Sequence, residues 1–328
     1  MAQLSGFGGH SWMSAVNRHV LCLTVAGFAT IGANAHAASV GAAGRFCPRN
    51  FTANTYSVTR FSADNVDLQR RHPTYQSGTR MYFFNWINGI SNPNDRIEIA
   101  PDQSAHVWGI SGPNGQMSSA AQIPVAPYFV GKVFGGSMCV SVLIQFDPAL
   151  VDTTKGFPAV WAMSFEHLNQ ARRKSGGEPK DSYENFMEYD FFEFYKNPPP
   201  QYLGSIIHWY GRYRQDCRNR VFCSRAFSFQ NFGRAIPSGT DWNTQWHEIG
   251  AIITQKTPKS PQKIEYFFDG KRLADPFYMN GGAMSFLPME PTAPDDHRMV
   301  LLFGSNSAPL RIKAVNVFQP TDSQNLEN

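Results

Sequence analysis

Apolar and polar positions alternate along much of the chain. Between Ser137 and Phe146, Met138, Val140, Val142, Ile144 and Phe146 interleave with Ser137, Cys139, Ser141, Leu143 and Gln145. That period of two predicts a half-buried strand. Comparable runs lie at 204–209, 248–254, 263–268, 299–303 and 311–318. Asp269-Gly270 follows the 263–268 run and predicts a tight hairpin turn. Helical spacing is persuasive in one short stretch, 165–174, where Phe165, Leu168 and Ala171 recur. The polar stretch 170–185, with Gly176, Gly177 and Pro179, predicts a surface loop. Many short strands and little helix predict a sandwich or a barrel.

Composition agrees with this pattern. Charged residues make up 16% of the 328 residues and aromatic residues 14%. An ordinary soluble domain carries roughly 25% charge. A chain with few charges and many rings is neither disordered nor a coiled coil. A net charge of +4 gives no support to nucleic-acid binding.

The N-terminus reads as a targeting segment. Arg18 precedes the apolar run Val20 to Phe28, and Ala35-His36-Ala37 is a small-x-small cleavage site. Residues 1–37 are therefore expected to be a secretory signal peptide, with 38–328 as a single domain. The apolar run is too short to span a bilayer, and no later segment is apolar enough. The expected location is secreted or periplasmic. Asn50-Phe51-Thr52 is a glycosylation sequon, which carries meaning in a eukaryotic host.

Beyond the leader four cysteines remain: Cys47, Cys139, Cys217 and Cys223. An even count in an exported chain favours disulfides, and three pairings are open. Cys217 with Cys223 closes a short loop and is the favoured local pair. Cys47 with Cys139 would then tie the N-terminal segment to an early strand. Free buried thiols are the alternative reading.

The most informative segment is Phe186-Met187-Glu188-Tyr189-Asp190-Phe191-Phe192-Glu193-Phe194-Tyr195. Its three acids sit in an otherwise apolar, aromatic strand, where burying carboxylates costs free energy unless something uses them. In a regular strand Glu188 and Asp190 share a face and Glu193 falls on the other. One bulge between Asp190 and Glu193 would bring all three to the same surface. Two carboxyl groups about 5–5.5 Å apart suit retaining glycoside hydrolysis. A third between them could separate their protonation states. The bland alternative is an exposed strand whose acids face water.

Glu188-x-Asp190-x-x-Glu193 resembles the E-x-D-x-x-E signature of glycoside hydrolase family 16. Ordered landmarks flank it. Gly156-Phe157-Pro158-Ala159-Val160-Trp161 resembles the strand before the signature, with Phe157 where Trp is usual. Gly204-Ser205-Ile206-Ile207-His208-Trp209 resembles the strand after it. Trp246-His247-Glu248, then Lys263 to Gly270, resembles the family's hairpin, and Arg311 to Gln319 its closing strand. The resemblance covers roughly 130–320 and leaves the first 90 or so mature residues unmatched.

The resemblance implies an all-β jelly-roll sandwich of two antiparallel sheets with a concave substrate cleft. It implies Glu188 as nucleophile, Glu193 as general acid/base and Asp190 as assisting residue, with His208 close by. The implied activity is that of a secreted retaining endo-β-glycanase, or of a transglycosylase using the same residues. No cofactor is required; the family also allows a structural Ca2+ on the outer sheet, whose ligands the sequence does not mark. The expected partner is a polysaccharide (β-glucan, galactan or an acidic bacterial glycan), and the expected state is a monomer.

Other residues are candidates for substrate contact. Trp161 and Trp209 could stack on sugar rings, or sit in the core. Trp86 and Trp108 fall in the unmatched region, where core packing is the plainer reading. Trp246 and His247 are expected to hold the hairpin. Arg212, Arg214, Arg218, Arg220 and Arg225 cluster around Cys217 and Cys223. They form either a solvated basic loop or an overhang in which Arg218 and Arg220 favour an acidic glycan. Two other functions remain open. A non-catalytic glycan-binding or cell-envelope module would not need both glutamates. A polysaccharide lyase would use a basic residue and His208 beside a uronate.

Overall fold

The computed structural model describes residues 44–51, 53–67, 78–84, 96–108, 116–122, 129–152, 157–165, 185–195, 201–210, 225–229, 234–235, 237, 240–255, 257, 260, 262–273, 275–279, 298–305, 308–323 and 325–327. Those residues form two sheets. The back sheet runs Lys271–Arg272, Gln262–Phe268, His247–Thr254, Met138–Gln145, Leu310–Gln319, Ala105–Trp108 and Arg96–Ile99. The front sheet runs Arg225–Phe229, Gln201–Tyr210, Asn185–Tyr195, Ala159–Ser164, Arg298–Gly304, Gln116–Ser118, Met81–Phe84 and Val66–Asp67. Five of the six strand-like runs of the sequence lie within one of these strands, and the sixth, 137–146, exceeds Met138–Gln145 by one residue at each end. Pairing is antiparallel except between Val66–Asp67 and Met81–Phe84, which is parallel.

One hydrophobic core joins the sheets. Val140, Val142 and Ile144 of the back sheet pack in the same cluster as Ala162, Phe191 and Leu301 of the front. This is a jelly-roll β-sandwich, and the inward positions of both sheets follow the alternation in the sequence. The first described strand, Ala53–Val58, pairs with the long closing strand Leu310–Gln319.

The strand Met138–Gln145 departs from its expected half-burial, since every residue in it is buried. A short N-terminal strap covers its second face. Cys47 is disulfide-bonded to Cys139. The Phe46 ring stacks on Phe267, with centroids 4.4 Å apart. A Cβ on Gly250 would lie 2.0 Å from that ring, so the close approach requires glycine here. Cys217 and Cys223 lie outside the described residues, as does the expected helix 165–174 beyond Phe165.

The tight turn predicted at Asp269-Gly270 joins Gln262–Phe268 to the short strand Lys271–Arg272, with Phe268 opposite Lys271. Asp269 and Gly270 both take positive φ, 47° and 73°. Two successive left-handed residues match the right-handed twist of the flanking strands. Asp269 Oδ1 accepts from the Glu248 N–H at 2.8 Å, and its Oδ2 lies 2.8 Å from His247 Nδ1. His247 thus holds the hairpin.

Candidate active site

The acidic strand Asn185–Tyr195 is central in the front sheet, between Ala159–Ser164 and Gln201–Tyr210. A strand buried on its inner face needs apolar residues there. Tyr189, Phe191, Phe192 and Phe194 supply them, all inside the main core. Phe191 and Phe192 are consecutive, which regular alternation forbids. The register shows how both fit. Trp161 pairs with Asp190 while the adjacent Val160 pairs with Phe192. On the other side Asp190 pairs with Ser205 and Glu193 with Leu203. One extra residue is therefore accommodated on the acidic strand, a β-bulge at the predicted place. Glu188, Asp190 and Glu193 occupy the positions that alternate with the four core aromatics.

The aromatic half of the strand is firmly seated. Phe146 packs edge-on against Phe194, 4.8 Å between centroids, and Trp242 stacks on Phe146 at 4.8 Å. Gln262 Nε2 donates to the Tyr189 hydroxyl at 3.0 Å, tying the acidic strand to the back sheet across the core. A tyrosine within a phenylalanine run is a sequence signal for such a buried partner. Trp242 has no comparable signal, since its contacts come from distant strands.

On the outer side the carboxyl groups interact. Glu188 and Asp190 are joined by a side-chain hydrogen bond. Burial, followed by the charge and hydrogen bond of Asp190 and the charge of Glu193, raises Glu188 well above the usual carboxylate range. Burial first, and the Asp190 charge second, pushes Glu193 up to about 9. Desolvation favours the neutral form of an acid, and a neighbouring negative charge adds to it. Three such groups on one face cannot all be ionised at neutral pH, so protons are held there.

Trp161 lies directly opposite Asp190 in register, on the acid-bearing side. It is 9% exposed, because Met163, Phe165, Val300 and Leu302 pack around it. It forms an apolar wall beside the acids. In the neighbouring strand, Ile207, Ser205 and Leu203 stand opposite Glu188, Asp190 and Glu193. His208 stands opposite Met187, and Trp209 opposite Phe186. The side chains of that strand lie outside the described residues, as do Trp86, Arg212, Arg214, Arg218 and Arg220. Trp108 belongs to the back sheet and is half-exposed, so it lies neither in the core nor among the acids.

Among the described residues no group of three or more His, Cys, Asp or Glu is arranged to hold a metal ion.

No family model matches the chain, and no curated protein matches it. The chain is similar to solved structures that include endo-1,3-β-glucanases. That from Streptomyces sioyaensis has a TM-score of 0.45 at 11% identity, covering 84% of this chain and 97% of its own. LamAcat from Zobellia galactanivorans has a TM-score of 0.43 at 11% identity, covering 82% and 98%. The catalytic domain of an endo-1,3-β-glucanase (laminarinase) from Thermotoga petrophila has a TM-score of 0.32 at 12% identity, covering 71% and 94%.

Proposed function

We propose that the protein is an exported retaining glycoside hydrolase that cuts a polysaccharide internally. The observation that carries this reading is the bulge that gathers Glu188, Asp190 and Glu193 on one face, where Glu188 and Asp190 share a hydrogen bond and Glu193 keeps its proton. Double displacement needs one ionised carboxylate behind the anomeric carbon and one protonated acid at the leaving oxygen, the two flanking the scissile bond. One shared proton leaves the Glu188–Asp190 pair with a single negative charge. The arrangement therefore holds the protonation states this reaction consumes.

In the proposed mechanism Glu188 attacks the anomeric carbon, and Asp190 takes the shared proton as the attack proceeds. Glu193 protonates the departing oxygen. The glycosyl-enzyme forms as the glycosidic bond breaks. Glu193, now ionised, removes a proton from water, which displaces Glu188 and restores the starting state. Configuration at the anomeric carbon is retained. A sugar hydroxyl in place of water would give transglycosylation with the same residues. Trp161 limits water beside the acids. The Cys47–Cys139 disulfide suits an oxidising compartment, in line with an N-terminal leader.

The test is reducing-end release and product mass on β-1,3-glucan, mixed-linkage β-glucan, galactan and acidic bacterial glycans. Wild type is compared with Glu188→Gln and Glu193→Gln. Cleavage of one glycan, lost in both variants, supports the reading and names the substrate. Binding without cleavage by the wild type on every glycan would replace it with a binding module. A product absorbing as an unsaturated uronate would replace it with a lyase.

A further inference from the structure

The outward face of the back sheet is covered at one end by the strap that carries Phe46 and Cys47. The other end has a different surface. Arg96 and Glu98, His106 and Trp108, and Arg311 and Lys313 alternate with the buried Ile97, Ala105, Val107, Leu310 and Ile312. All six therefore face away from the core. Strand pairing sets them side by side. Arg96 is opposite Trp108, Glu98 opposite His106, His106 opposite Arg311, and Arg311 opposite Gln145. Trp246, half-exposed, precedes His247, whose partner is Ile144, the neighbour of Gln145. The row from Trp246 through Gln145, Arg311 and His106 to Glu98 crosses five adjacent strands. At about 4.8 Å per strand it is roughly 19 Å long, enough to underlie several units of an extended polymer.

Its chemistry is specific. The Arg96 guanidinium lies 4.3 Å from the Trp108 ring centroid, and Lys313 Nζ lies 5.9 Å from that of Trp246. Arg311 Nη1 donates to the neutral Gln145 Oε1 at 3.0 Å, which leaves other donors of its fork for a ligand. Glu98 pairs with Arg96 at 3.0 Å and Asp102 with Lys313 at 3.2 Å, and both acids are about half exposed, at 55% and 51%. The Arg96–Glu98 pair, exposed on both sides, is weak and exchanges readily for a better anion. Two aromatic plates, each beside a cation, thus flank an arginine held by an amide. Planar rings receive the C–H faces of sugars, and guanidinium forks receive carboxylate or sulfate.

We propose that this face is a second glycan-binding surface, taking an anionic polysaccharide bearing uronate or sulfate along the row from Trp246 to His106, with Trp108 and Arg96 beside its far end. It lies on the opposite side of the sandwich from the three acids and does not depend on their chemistry. It would hold the protein on a charged polymer irrespective of what is cut.

The test uses the full chain carrying Glu188→Gln, so that no probe is consumed. Binding is measured by titration against alginate, a sulfated galactan, neutral laminarin and a DNA duplex, at low and at high salt. At least one anionic glycan is expected to bind, with affinity falling as salt rises. Adding Arg311→Ala or Trp108→Ala is expected to weaken that binding fivefold or more and leave laminarin unchanged. Arg96→Ala, at an exposed position, gives the same readout if Arg311→Ala lowers the melting temperature. Anionic-glycan affinities equal to the parent's in folded variants, or no anionic glycan bound, would overturn the proposal. Tighter binding of the duplex than of either anionic glycan would reassign the surface to nucleic acid.

Discussion

Phe191 and Phe192 are neighbours in the chain, and both are fully buried in the same core. In a regular strand one of them would stand on the acid-bearing face. The bulge that seats both also returns Glu193 to the side of Glu188 and Asp190. Core packing and site assembly are thus one event, and this can be tested by stability. Phe191→Ala and Phe192→Ala are each expected to cost about 3–5 kcal/mol in denaturant unfolding. An unbulged strand would leave one of the two substitutions nearly neutral.

Glu193 links stability to pH. Its folded-state value of about 9 lies above its ordinary 4.5, so the folded protein holds a proton that the unfolded chain releases between those values. The favourable contribution is complete below the ordinary value and is lost as pH rises toward the raised one. Glu193→Gln keeps a neutral, similarly shaped group. Its melting temperature should match the wild type near pH 4 and exceed it by several degrees near pH 8. Equal melting temperatures across that range would show that Glu193 is an ordinary carboxylate.

The roles of the two glutamates separate kinetically. Glu188→Ala should lower turnover by more than about a thousandfold, and added azide should restore part of it as a glycosyl azide of inverted configuration. Glu193→Ala should lower it by about 10²–10⁴-fold, with less loss on substrates whose leaving group needs no proton. Nuclear magnetic resonance of the first product gives the anomeric outcome, and an inverted wild-type product would exclude the proposed double displacement.

The strap gives a stability prediction. Glu248, 4% exposed, accepts hydrogen bonds at 2.6 Å from both the Gly44 N–H and the Ser141 hydroxyl. Removing one partner of a buried charged network leaves the rest unsatisfied. Glu248→Ala, or reduction of Cys47–Cys139, should each lower stability by about 2–5 kcal/mol. Limited proteolysis should then cut first near residues 44–51. Unchanged cleavage would mean that the strap is held by its aromatic contacts alone.

Much of the sandwich was legible in the sequence because its strands alternate, and alternation is a local property. The bulge was legible for a related reason. Phe191-Phe192 breaks the alternation in a strand whose acids need one face. Glu248 was not legible beyond its place in a strand. Its partner Gly44 is 204 positions away, and no local pattern marks a contact at that distance. Full burial of Met138–Gln145 was missed for the same reason, since the strap covers the face that Cys139 and Ser141 present. Trp108 was misread as a core residue because a tryptophan beside Val107 looks buried until the sheet has an outside.

The pairing of Ala53–Val58 with Leu310–Gln319 has a consequence for biogenesis. This first described strand leaves the ribosome long before its mate exists, and its hydrogen-bonding edge must wait unpaired while the intervening chain is made. The back sheet cannot close on a nascent fragment. A ribosome stalled before residue 310 would present an open β-edge, which is a nucleus for aggregation rather than a partly working protein. The molecule is therefore finished by its last long strand, and truncation from the C-terminus should be more damaging than the modest length removed would suggest.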